Sequence, residues 1–150
     1  MYIWKTAALS KDIKNHNVNQ NEWRKYYLAA SIFVTIAIYL TALTPHASLM
    51  AVLIEAIVMI GILIFGVSFT YHSNKGDDGT DYIARMTALA LPISVKAFVI
   101  SLAFGVIIGV LSQALSISAS SFDWLMLVFG SIIQVCIFWR LNEHIKFINA

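Results

Sequence analysis

Charge is what this sequence has least of. Only 12% of its 150 residues are Asp, Glu, Lys or Arg, against about 25% in ordinary soluble domains. Apolar residues make up 59%, and a soluble fold of this length has too little interior to hide them. The net charge of +2 is too mild for a nucleic-acid-binding chain, so no nucleic acid is expected as a partner. Cysteine is nearly absent. Cys136 alone excludes an intramolecular disulfide, a Cys-pair metal site and paired-thiol redox chemistry. Its apolar surroundings make it read as a small hydrophobe in a helix. The four histidines, His16, His46, His72 and His144, include no two that lie three or four apart on a helix, so no zinc motif forms. No Ser–His–Asp spacing, phosphate loop or nucleotide fingerprint occurs. The chain is therefore expected to be non-catalytic, with no cofactor and no metal.

Long apolar runs are what remains. A membrane helix needs about 20 predominantly apolar residues. Four runs qualify: Tyr26 to Leu43, Ser48 to Tyr71, Ala97 to Leu115 and Trp124 to Trp139. The first opens after Asn19-Gln20-Asn21-Glu22, a capping-box pattern with Asn19 as cap, and closes at Thr44-Pro45-His46. Mostly polar residues 1–25 precede it and no small-x-small cleavage site follows, so it reads as a retained span. Trp124 and Trp139 stand at the ends of the fourth run, where interfacial aromatics belong.

Residues 81–95 carry a different pattern. Tyr82, Ile83, Met86, Leu89, Ala90 and Ile93 share one helical face, and Asp81 and Arg85 lie four apart on the other. This predicts an amphipathic helix on the inner membrane surface, with Thr80 as its cap and a bend at Pro92 before the third span. The segment around Trp4, Ala8, Leu9 and Ile13 has a shorter stripe and is expected on the same surface. The acidic loop before residue 81 fails the calcium-loop template: Gly76 stands at a ligand position and Arg85 stands where the bidentate glutamate is needed. It reads as a solvated turn.

The expected architecture is an all-α integral membrane protein of four spans, with residues 72–80 as a loop and 140–150 as a tail. Short outer turns make spans one and two, and spans three and four, antiparallel neighbours. All ten basic residues then fall on one side, which the positive-inside rule makes cytoplasmic. Both termini are expected in the cytoplasm, and the chain in the cell inner membrane.

Three groups stand out inside the spans. Ala97, Ser101, Gly105, Gly109 and Gln113 recur every four residues, and Gly105 and Gly109 make a GxxxG. Small residues let helix backbones approach closely, so this face is expected to pack, either within the chain or against another copy or membrane protein. Glu55 has no Lys or Arg inside any span to pair with, and an acid in the bilayer costs on the order of 2.5–3.5 kcal/mol. With Gln113 as partner it is the candidate proton or ion site; its bland alternative is a group that fixes helix packing. Gln134 reads as interhelical glue. Two function classes follow. One is an accessory, assembly, defence or immunity subunit acting through helix contacts. The other is an oligomeric channel or proton-coupled transporter using Glu55.

Overall fold

The computed structural model describes residues 1–42 and 49–150, with the side chains of 41 and 42 left aside. The outer loop expected at 44–47, with His46, and the expected span ends Leu43 and Ser48 lie outside the described residues. Among the described residues the regular structure is all helical. Its helices are α1 (Thr6–Lys14), α2 (Gln20–Ala42), α3 (Leu49–Ser73), α4 (Tyr82–Ala114) and α5 (Ala119–Asn149), with one 3-10 turn at Gly76–Asp78. Among the described residues, α3, α4 and α5 are long and apolar enough to cross a membrane.

The helix starts follow local chemistry. Asn19 Oδ1 accepts from the Glu22 backbone N–H at 3.0 Å, satisfying one of the donors a helix start leaves open. Ser118 does the same for Ser121 at 3.2 Å ahead of α5. Thr80 does not cap α4. Asp81 is the cap residue, in left-handed geometry with no side-chain cap bond, and the Thr80 hydroxyl is taken by Arg85 instead.

The main departure from the sequence reading lies in α4. A separate surface helix at 81–95 is not present; the segment continues through Pro92 into the third span as one helix of 33 residues. Proline removes one intrahelical hydrogen bond and crowds the carbonyl four residues back. That residue is the small, fully buried Ala88, and packing on several sides holds the helix together. Ala88, Leu89, Leu91 and Pro92 are buried along with Arg85, while Ile83, assigned to the apolar face, is 78% exposed. The stretch is therefore covered by protein around much of its circumference. α5 likewise continues well past Trp139, so the expected tail is helical.

What covers α4 is α1 and the end of α5. Thr6, Leu9, Ser10 and Ile13 form the buried stripe of α1. Leu9 and Ile13 join Leu89, Leu91, Phe138, Leu141 and Ile145 in one core. The N-terminal helix is thus docked on the protein, with Trp4 left exposed. The molecule divides into two zones. A base, built from α1, the first half of α4, the last turns of α5 and the adjoining ends of α2 and α3, has a core packed as in a water-soluble protein. Beyond it the helices expose apolar side chains such as Ile57, Ile64, Val106, Val110 and Ile132, as a surface facing hydrocarbon does.

The principal packing pairs among the described residues are α3 with α5, α4 with α5, and α2 with α4. α4 and α5 are neighbours as expected. α2 and α3 are not among these pairs, although consecutive. Where α3 packs on α5, Gly66 faces the Phe138 ring, and a Cβ there would collide with it. Phe104 and Phe129 stack at 3.7 Å between α4 and α5, and Phe33 meets Phe98 edge-on at 5.6 Å between α2 and α4.

Candidate functional site

The small-residue stripe lies on the outer half of α4. Ala97, Ser101, Gly105 and Gly109 are all half-buried. A Cβ built on Gly105 or on Gly109 meets nothing within 4 Å. Among the described residues no helix of the same chain is seated against the GxxxG. α4 reaches its neighbours through Phe98 and Phe104 instead. Gln113, next along the same i, i+4 row, is exposed.

Glu55 lies two turns into α3 and is exposed on an apolar helix. The structure does not join it to Gln113: neither side chain makes a hydrogen bond or ion pair within the described residues. The expected partnership across the outer leaflet is therefore absent within one chain. Among the described residues α3 and α4 each pack on α5, and the side-chain contacts between α3 and α4 lie near the base, at Thr70 and Tyr82. Gln134 is half-buried on α5. Beside it, Gly130 admits Met59 of α3, whose Cε lies 3.2 Å from where a Cβ would stand.

The base holds a constellation that the sequence reading missed. Arg85, assigned to a solvent face beside Asp81, is only 6% exposed. Its Nη1 donates to Asn74 Oδ1 at 3.1 Å and to Asn149 Oδ1 at 2.9 Å, and its Nη2 donates to Thr80 Oγ1 at 3.1 Å. Asn149 Nδ2 donates to the Ser73 carbonyl at 3.1 Å, closing an open helix end. One guanidinium thus ties together the ends of α3, α4 and α5 through neutral oxygens. The Asp81 carbonyl accepts from the Arg85 backbone N–H at 2.9 Å, and its carboxylate is not among the partners of the guanidinium. A lone arginine flanked on the chain by apolar residues was the available signal.

Close by, Thr70 Oγ1 and Tyr82 OH lie 2.8 Å apart, and Tyr82 OH donates to the Val67 carbonyl at 3.1 Å, pinning α4 to α3. The Tyr71 hydroxyl donates to Asp77 in the acidic loop. On the opposite flank, Ser10 Oγ and His144 Nδ1 are 2.7 Å apart, and Lys96 Nζ donates to Thr6 Oγ1 at 3.2 Å. These two contacts clamp α1 onto α5 and α4. Burial, with Arg140 and Lys96 nearby, holds the His144 imidazole below its ordinary value, and Glu143 offsets part of this.

Two cavities adjoin the base. A cleft of about 700 Å³ is walled by Trp23, Tyr27, Tyr71 and Tyr82, with Arg24 and Asp81 at its edge. A crevice of about 210 Å³ lies between α4 and α5 and is lined in part by Lys96, Cys136 and Arg140. Among the described residues no three His, Cys, Asp or Glu side chains converge as a metal-binding group would require. No protein-family model, curated protein or solved structure matches this chain, so the site rests on its own geometry.

Proposed function

We propose that the chain is a non-catalytic, four-span protein of the cell inner membrane that works by helix association with a second copy of itself. Its role class is an accessory, assembly, defence or immunity subunit. The observation that carries this is the open space over Gly105 and Gly109. In lipid, apolar side chains gain little from one another, and close backbone approach supplies the packing energy. A small-residue face unfilled within the chain is suited to a helix from another. The exposed Gln113 on the same row supplies an interhelical hydrogen bond, of the kind worth about 0.6 kcal/mol on average. α2 is the fourth span in this reading. Its 23 residues extend about 35 Å and expose Ile32, Ile36 and Ile38. The excess of basic residues around the base sets that end in the cytoplasm.

The test is the mass of the purified protein in lipid nanodiscs, wild type beside Gly105→Ile/Gly109→Ile. An oligomer that falls to monomer in the variant, with helicity unchanged, supports the reading. A wild-type monomer at all concentrations overturns self-association and directs attention to a different membrane protein as partner.

The exposure of Glu55 favours a second reading, an oligomeric channel or proton-coupled transporter. A carboxyl presented from an apolar helix requires either a covering subunit or a water path. Proton or ion flux through liposomes that disappears in Glu55→Gln, with oligomer size intact, supports transport. No flux in either protein opposes it.

A further inference from the structure

The crevice between α4 and α5 sits where the packed base meets the apolar zone. Its rim is basic, formed by Lys96 of α4 with Arg140 and His144 of α5. Its floor is apolar and runs away from the base. Ile100 stands one turn beyond Lys96, and Ile137 and Ile133 stand one and two turns before Arg140. Cations and hydrocarbon are therefore ordered along the helix axes as headgroup and acyl chain are ordered across a leaflet.

The cations are available. The Lys96 ammonium has only neutral neighbours, the Thr6 hydroxyl at 3.2 Å and the Trp4 ring with its centroid at 5.8 Å. Among the described residues it has no ion pair. Arg140 pairs with Glu143 at 2.7 Å, but that pair is exposed, and such pairs hold weakly. A guanidinium with several donors readily takes a phosphate in addition. Trp139, beside Arg140 and 60% exposed, supplies an indole at headgroup depth.

We propose that this crevice binds one anionic phospholipid, with its phosphate against Lys96 and Arg140 and its upper acyl chain along Ile100, Ile133 and Ile137. A phosphate alone complements the rim and leaves the floor unused. A zwitterionic lipid brings a cation to a rim that is already positive. Basic pockets between helices at the inner surface recognise acidic headgroups for these reasons. The crevice shares Ala97 with the association stripe of α4, but the proposed phosphate and acyl contacts lie on other residues.

The test is native mass spectrometry of the full chain with phosphatidylglycerol or phosphatidylcholine at equal concentration. Wild type is expected to retain phosphatidylglycerol and to hold phosphatidylcholine only at background. Lys96→Gln/Arg140→Gln should bind phosphatidylglycerol about thirtyfold more weakly, at roughly fivefold per cation near an acidic headgroup. Lys11→Gln/Lys25→Gln, which removes two exposed charges elsewhere, should bind as wild type does. A second measurement uses the unaltered protein. Cys136 lines the crevice, so its modification by N-ethylmaleimide should slow severalfold in phosphatidylglycerol micelles relative to phosphatidylcholine. Equal retention by the Lys96/Arg140 variant, equal binding of the two lipids, or equal Cys136 rates would overturn the proposal. Displacement of phosphatidylglycerol by excess inorganic phosphate at constant ionic strength would also overturn it, by showing a free-phosphate site.

Discussion

At the scale of single residues, Arg85 and His144 carry the base. Arg85 is buried among neutral acceptors, and a hydrogen bond from a charged donor contributes about 1.5–3 kcal/mol. Arg85→Gln should destabilise the protein by about 3 kcal/mol, seen as an earlier denaturant midpoint in detergent. Arg85→Lys should recover less than half of that, since an ammonium cannot reach three acceptors as a planar fork does. Full recovery by lysine would show that charge alone matters there. His144 predicts a pH dependence. Its folded-state value lies below the ordinary 6.5, so folding favours the neutral ring. The clamp it forms with Ser10 is fully present above about pH 6.5 and is lost as pH falls through the depressed folded value. Amide exchange in α1 should therefore speed up on acidification from neutral pH, and His144→Asn should remove that dependence. The sequence shows both residues but not their roles. Arg85 sits four after Asp81, which suggests a surface pair, whereas its guanidinium is taken up by Asn74, Asn149 and Thr80.

At the scale of elements, hydropathy located the spans of α3, α4 and α5 because length and apolar content alone decide whether a helix suits hydrocarbon. The Asn19 cap was legible for the same kind of reason, since its chemistry is local. The continuity of α4 was not legible. An apolar stripe looks the same whether lipid or protein covers it, and residues 81–95, expected to lie on lipid, are covered in part by α1 and α5. The stripe of α1 is likewise buried against the protein. The α3–α5 contact supplies an element-level test. Gly66→Ala places a methyl against the Phe138 ring and should destabilise by about 1–3 kcal/mol through overpacking. Gly61→Ala, with open space around it, should be neutral or slightly stabilising. Thermal unfolding of the two variants side by side checks this. Equal behaviour would mean the helices do not meet at Gly66.

At the scale of the whole molecule, one end is packed like a soluble protein and the other presents apolar side chains outward, with Glu55, Gln113 and an open GxxxG among them. The candidate groups Glu55 and Gln113 were legible as residues, but their separation was not, because it depends on which helices pack together, and α3 and α4 each pack mainly on α5. In the proposed assembly the stripe of α4 meets a second copy. The most direct measurement is disulfide cross-linking in native membranes, with single cysteines placed along α4 in a Cys136→Ser background. Gly105→Cys and Ser101→Cys should give a dimer on mild oxidation, while Ile107→Cys, about 200° around the helix from Gly105, should stay monomeric. Dimers at Ile107 as readily as at Gly105, or no dimer at any position, would contradict it.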